Sequence, residues 1–426
     1  MTESKVPNKS KRRVIDTDRR HALFTGAGLM AGGALAAAPN TAHGAEGDEA
    51  KKAEDAGRYG GVPIPVTPAI EASGAYIEPY RASCVQTLAT PVFDEAGKFI
   101  PEALQTNVER VATWVELGGD KIGAKLYSFS EFCLQPAPAG ANVAEWIKAS
   151  IDANGPEIER ISRAAQKAKA YVAINAGERI PQFPGRYFLS GIIVGPTGNL
   201  ELNYRKLNDP TLKTRPSDVL SAWLDVFGEE SLFPVADTDI GRLGCVVALD
   251  VKHPELMRGT VLKGAEVIVN PTASPAPPGA SGISVSTMLR RVRAMENMAY
   301  VLLSNLGPVE SGMPANMQAR QPSEIIDFRG NLLADSHTDG IGGGEGFIIG
   351  TIDINALRQA RTGLGSQNTL CDLQVPVHRL TYEAAEFAPV NAFMESPIQE
   401  SQENNEVLRE TVKRLVSRGV LVPPGA

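Results

Sequence analysis

Gly241-Arg242-Leu243-Gly244-Cys245-Val246-Val247-Ala248-Leu249-Asp250, then His253-Pro254-Glu255-Leu256-Met257-Arg258, then Lys263-Gly264-Ala265-Glu266-Val267-Ile268-Val269-Asn270-Pro271-Thr272 form the stretch whose reading decides the class of fold. Leu243 to Leu249 and Ala265 to Val269 are continuous apolar runs, the pattern of strands covered on both faces. Between them Pro254 and Glu255 open a helix. Proline has no amide proton to lose in the first turn, and a carboxylate there meets the positive end of the helix dipole. Strand and helix in turn mean an α/β layer fold.

The same alternation runs outward in both directions. Upstream, Val85 to Ala89 reads as strand, Glu102 to Leu117 as helix, Ile122 to Tyr127 as strand, Glu157 to Ala170 as helix and Tyr171 to Asn175 as strand. Tyr187 to Val194 and Leu200 to Tyr204 flank the turn Pro196-Thr197-Gly198-Asn199, a hairpin that makes the sheet mixed. Downstream come a Pro/Gly/Ser-rich loop from Pro271 to Ser284 and a helix with Met288, Val292, Met295 and Met298 near helical spacing. A strand from Tyr300 to Ser304, a hairpin from Ile325 to Leu333 and a strand from Phe347 to Ile354 follow. The methionine stripe reads as core filler, the usual employment of that side chain. Gly340-Ile341-Gly342-Gly343-Gly344-Glu345-Gly346 precedes a strand and lacks a following Lys-Ser/Thr, so it reads as a loop and not as a phosphate cradle.

The ends differ from the middle. Lys9, Lys11, Arg12 and Arg13 give a basic start, Arg19 and Arg20 a twin-arginine pair, and a weakly apolar Gly/Ala run reaches Ala38. This resembles a twin-arginine export signal over residues 1–45, too short and too weakly apolar for stable membrane insertion, and it implies a periplasmic or extracellular protein. Residues 46–80 read as a Pro-punctuated linker or arm, 81–361 as the main domain, and 362–426 as a C-terminal extension. That extension ends in a charged helix from Gln402 to Arg418 with Val407, Leu408, Val412 and Leu415 on one side. Such a face must pack on something, and a second subunit is the expectation.

The whole chain has 426 residues, 43% apolar and 21% charged, which suits a globular protein. A formal net charge of −7 excludes a nucleic-acid footprint, which needs clustered Lys and Arg. Four cysteines (Cys84, Cys133, Cys245, Cys371) without a CxxC, and only five histidines, predict neither metal nor other cofactor.

Three segments then carry a family resemblance, spanning roughly Ala89 to Arg361. Ala124-Lys125-Leu126-Tyr127-Ser128-Phe129-Ser130-Glu131-Phe132, the hairpin strand Asn199-Leu200-Glu201-Leu202-Asn203-Tyr204-Arg205-Lys206-Leu207 after Gly198, and the opening stretch resemble the nitrilase superfamily of carbon–nitrogen hydrolases. The run Leu289-Arg290-Arg291-Val292-Arg293-Ala294-Met295-Glu296-Asn297 resembles its later helix. The resemblance implies an α/β fold, a four-layer α-β-β-α sandwich, and hydrolysis of amides, nitriles or carbamoyl compounds by a Glu-Lys-Cys set. Glu131 matches the general base and Lys206 the cation that stabilises developing charge, but the cysteine position falls on Ala248. A carboxylate that takes a thiol proton, a thiolate that attacks, and an ammonium that steadies the attacked group form a chemically complete set, and a methyl group cannot form a thioester.

Cys245 lies three residues upstream on the same strand, so the period of two sends it to the face opposite Ala248. Cys133, two residues beyond Glu131, is the alternative nucleophile, although a lone cysteine commonly serves as a small buried apolar group. Glu131 and Lys206 also admit the reading of an inherited buried ion pair. His253 reads as a helix cap or a solvent-facing residue. Glu229, Glu230 and Asp250 are candidates for holding substrate. Three functions follow: an inactive ligand-binding homologue for a small amide, nitrile or carboxylate, an active hydrolase using Cys133 or a Glu131-activated water, and a structural or assembly protein forming homo-oligomers.

Overall fold

The computed structural model describes residues 58–59, 62–63, 74–136, 141–209, 213–274, 285–310, 322–363, 368–383, 385 and 387–425. The expected export signal and most of the expected arm lie outside these residues. The chain divides into Met1–Thr67 and Pro68–Ala426. In the first unit Arg58–Tyr59 (β1) pairs antiparallel with Val62–Pro63 (β2).

The second unit runs β3 (Tyr80–Gln86), α1 (Pro101–Lys121), β4 (Leu126–Ser128), α2 (Val143–Ala149), α3 (Pro156–Ala168), β5 (Tyr171–Glu178), β6 (Phe188–Val194) and β7 (Leu200–Arg205). It continues with α4 (Leu220–Phe227), β8 (Val235–Thr238), β9 (Gly241–Cys245), α5 (Pro254–Leu262), β10 (Val267–Thr272), α6 (Val285–Asn297) and β11 (Tyr300–Asn305). Then come β12 (Glu324–Ile326), β13 (Leu332–Asp335), β14 (Gly346–Ile352), α7 (Ile354–Thr362), α8 (Val375–Glu383) and α9 (Ser401–Ser417).

The strands form two mixed six-stranded sheets, ordered β14-β3-β4-β5-β6-β7 and β13-β12-β11-β10-β9-β8. The opening stretch supplies the parallel centre of the second: β10 pairs parallel with β9 (Val267 beside Leu243) and with β11 (Val267 beside Tyr300). Side-chain alternation divides the core by layer. Ala82, Leu126, Leu189 and Ile193 from one sheet meet Leu243, Cys245, Val267 and Leu302 from the other. The outer face of the first sheet packs under Val108, Val111, Ile158 and Ile161 of α1 and α3. That of the second packs under Met257, Val261 and Ala294 of α5 and α6. The result is the expected four-layer α-β-β-α sandwich.

The two sheets approach closely where β6 carries Gly191. A Cβ built on Gly191 falls inside the van der Waals surface of Cys245 Sγ and 3.2 Å from Val247 Cγ2. Gly191→Ala should therefore cost about 1–3 kcal/mol or more by overpacking a rigid interface, read as a lower urea midpoint at unchanged slope. An unchanged midpoint would mean that the sheets part there at no cost.

Two sequence expectations fail here for physical reasons. Along β9 and beyond it, Leu243, Cys245 and Val247 face the inter-sheet core and Val246 the outer layer, as alternation demands. Ala248, however, joins the inter-sheet core as well, because its φ of 43° is left-handed and breaks the alternation. Cys245 and Ala248 thus do not point to opposite faces. The methionine stripe is inverted too: Met288, Val292 and Met295 are 55%, 39% and 51% exposed, and only Met298 is buried. Helix α6 turns Arg290, Arg293 and Asn297 inward instead, where Arg293 Nε donates to Val251 O and Arg290 Nε to Asn270 Oδ1. Buried guanidinium groups are tolerated once acceptors meet them, so polarity alone does not identify the solvent face.

Candidate active site

Glu131 follows β4 and is held from both sheets. Its N–H donates to the Thr272 carbonyl at the end of β10 (3.3 Å), and the next N–H, of Phe132, donates to Asn175 Oδ1 on β5 (3.0 Å). Phe132 takes φ 59°, a conformation that costs a side chain about 1–2 kcal/mol and turns the chain sharply just after the carboxylate. Lys206 follows β7, its backbone N–H donating to Leu189 O at 2.9 Å. Its Nζ reaches Glu131 Oε1 at 2.8 Å and Asp209 Oδ2 at 3.0 Å, all three side chains being buried. Burial drags the Lys206 ammonium downward, and the carboxylates of Glu131 and Asp209 more than reverse this, so its net shift is upward. The site therefore holds a charged lysine at neutral pH.

Ala248 is the second strained residue. It starts a 3₁₀ turn, Ala248–Lys252, directly past β9, and is 4% exposed. Asn270 Nδ2 holds the Val246 carbonyl just before it (2.5 Å), and Asp250 fixes the turn just after it. Asp250 accepts from Tyr204 OH (2.6 Å), Leu207 N–H (3.1 Å) and Asn208 N–H (2.7 Å). Burial pushes its carboxyl up to about 6, against those hydrogen bonds and the Lys206 charge. Asp250 thus ties the loop after Lys206 to the Ala248 turn, and its oxygens are met from within the chain.

Glu229 and Glu230 are not brought to this cluster. They lie exposed on a 3₁₀ turn, Glu229–Leu232, where Glu230 pairs with Lys263 at 2.7 Å. His253 is exposed at the start of α5 and makes no side-chain cap. Cys133 is 2% exposed within the core under α1 and α3, with Sγ 3.5 Å from Asn175 O, and burial pushes its thiol up to about 12. Cys84 is likewise raised to about 12 by burial, and Cys245 higher still. All four cysteines are free thiols and Cys371 alone among them is exposed. Among the described residues no three His, Cys, Asp or Glu side chains gather as a metal would need, and no helix is long and apolar enough to cross a membrane.

Several residues near the site escape a reading of the sequence. Asp209 sits three positions after Lys206, a spacing with no signal of its own in a loop. Lys213 lies 3.6 Å from Asp209 and 5.2 Å over the Phe132 ring. Tyr187 stacks on Trp146 with ring centroids 5.3 Å apart. Glu178, at the end of β5, takes Arg205 in a two-pronged ion pair (2.8 and 2.9 Å) and fastens β7 just before Lys206.

Glu324, the first residue of β12, is a further buried acid. Glu324 accepts from Thr287 Oγ1 at 2.5 Å, and its Oε2 is buried without a hydrogen-bond partner among the described residues. Burial raises its carboxyl to about 7, opposed by the Thr287 hydroxyl and the Arg290 charge. The native chain therefore holds this proton more tightly than the unfolded chain does. Its contribution is complete below the unfolded carboxylate range and is lost as pH rises through about 7. Stability should fall by on the order of 1–3 kcal/mol between pH 4.5 and 7.5, and Glu324→Gln should flatten that slope in denaturant titrations. An equal slope in the variant would assign the effect elsewhere.

With this geometry in place, the pattern of the carbon-nitrogen hydrolase family matches residues 82–362. The chain belongs to the carbon-nitrogen hydrolase family. Among its relatives is the formamidase of Helicobacter acinonychis (strain Sheeba), 26% identical over 259 residues, a match covering 59% of this chain and 68% of that protein. Among solved structures, Nit3 of Saccharomyces cerevisiae, a member of branch 10 of the nitrilase superfamily, superposes with a TM-score of 0.52 at 21% identity, covering 72% of this chain and 99% of that one. The C. elegans NitFhit protein gives 0.53 at 19% identity, covering 71% of this chain and 67% of that one. At such identities the structures establish the nitrilase fold, and the family match adds carbon–nitrogen hydrolase ancestry.

Proposed function

We propose that this carbon-nitrogen hydrolase homologue binds a small amide, nitrile or carboxylate compound between Glu131 and Lys206 and forms no thioester with it. The observation that carries this reading is Ala248: a left-handed, buried residue three positions past β9, in a strained setting that suits a nucleophile, yet bearing a methyl group. A charged lysine donates to a carbonyl or carboxylate oxygen, and a carboxylate accepts from an amide N–H. That pair remains, and it suffices for binding. A second reading, hydrolysis by a water that Glu131 deprotonates while Lys206 steadies the oxyanion, draws on the same intact pair. Attack by Cys133 is opposed by its burial in the core and its raised thiol.

Formamide, acetamide and acetate are the first probes, since relatives are named formamidases. The expected result is a saturable rise in Tm with no ammonia released, because a ligand that binds only the native chain stabilises it. Release that survives thiol alkylation and is lost in Glu131→Gln would replace binding by water activation, and neither a Tm rise nor release would sink both readings. The twin-arginine start supports a role outside the cytoplasm. Homo-oligomer formation is supported by the exposed Leu408 and Val412 of α9, 44% and 49% accessible in the single chain.

A further inference from the structure

Lys206 has two counterions where one would keep it charged. Glu131 Oε1 stands 2.8 Å from Nζ and Asp209 Oδ2 3.0 Å, with side-chain exposures of 8% and 4%. Both are anchored through the backbone, Glu131 by its own N–H on Thr272 O and by the Phe132 N–H on Asn175 Oδ1. The loop that carries Asp209 is fixed on both sides: Leu207 and Asn208 donate backbone N–H groups to Asp250, and Thr214 N–H donates to Tyr187 O at 2.9 Å. Asp209 is also 3.6 Å from Lys213, whose ammonium lies over the ring of Phe132, the residue after Glu131. The charges thus run Glu131, Lys206, Asp209, Lys213 and return through Phe132 to Glu131.

This arrangement resolves a difficulty in the reading above, on which the inference rests. Once Glu131 turns to a ligand N–H, or takes a proton from water, it ceases to balance Lys206. A lysine buried without a counterion tends to give up its proton, and a neutral amine is a poor partner for a carbonyl or an oxyanion. We propose that Asp209 is the standing counterion and positioning residue of Lys206, keeping it an ammonium beside the Ala248 turn while Glu131 is free to engage the ligand.

The test reads the lysine directly, in the full chain without ligand. Lysine labelled with ¹³C at Cε gives a resonance for each side chain, and the Lys206 signal is assigned by its loss in Lys206→Arg. The charged groups facing that ammonium are Glu131, Asp209 and Asp250, so its midpoint reports their balance. In Glu131→Gln, Lys206 should still titrate above pH 10. In Asp209→Asn its midpoint should drop by more than one pH unit, a loss of more than tenfold in ammonium stability, and Asp209→Glu should restore it. A large drop in Glu131→Gln would overturn the proposal, and would do so even where Asp209→Asn does not fold. An unmoved midpoint in a folded Asp209→Asn would overturn it as well. Failure of the binding reading shows separately: a chain that binds no amide yet keeps Lys206 charged in Glu131→Gln retains the role of Asp209 and loses only its use.

Discussion

Ala248→Cys is expected to turn this chain into a thiol-dependent amidase, releasing ammonia from short aliphatic amides at a rate ~100-fold or more above the parent's background, since it supplies a nucleophile for Glu131 to deprotonate. Glu131 would take the thiol proton, the sulfur would attack the amide carbon, Lys206 would donate to the oxygen as it becomes negative, and the C–N bond would break with the nitrogen leaving as ammonia. Water would then hydrolyse the thioester. The left-handed backbone at residue 248 already accommodates a Cβ, so cysteine adds one sulfur atom and no new strain of the main chain. Iodoacetamide must abolish the gained activity. Because Cys371 is exposed and would react first, the comparison belongs in a Cys371→Ser background. A parent as fast as the variant would show that Ala248 is no handicap, and a variant as slow as the parent would place the defect in the pocket.

The contrast between what is and is not legible in the sequence follows the range of the forces involved. Buried parallel strands announce themselves because both faces are apolar, and β9, α5 and β10 are readable from composition alone. Glu131 and Lys206 stand out because each ends a strand with a recognisable local pattern, and the structure brings them within 2.8 Å across 75 positions of sequence. Asp209 escapes notice because its partnership depends on a loop path that Asp250 imposes. The backbone partners of Asp250 are visible only in the fold, because a buried acid near a site looks the same in sequence whether it faces substrate or backbone. The α6 methionines mislead for the converse reason: hydrophobic spacing locates a stripe, but the inner face is given to Arg290 and Arg293, whose Nε groups find acceptors 20 and 42 positions away. Helix α4 and strand β8 go unread because short, half-exposed elements leave little periodicity to count.

Lys206→Met should be the most destabilising single change in the site, costing about 3–5 kcal/mol, because it removes the ammonium that the buried Glu131 and Asp209 carboxylates share. Methionine keeps the length of the side chain and the packing around it, so the loss measures charge. Glu131→Gln should cost clearly less, since Lys206 keeps Asp209 at 3.0 Å and the amide oxygen still accepts a hydrogen bond. The Lys206→Met defect should also shrink on acidification, because protonation removes the buried negative charge that has lost its ammonium. Urea titrations of parent, both single variants and the Glu131→Gln/Lys206→Met double variant close a cycle. The double variant should be more stable than Lys206→Met alone, because the buried Glu131 charge that lost the Lys206 ammonium is gone as well. Equal losses in the two single variants would mean that Glu131 alone balances the lysine, and the four-charge ring around Phe132 would then be a feature of geometry without energetic weight.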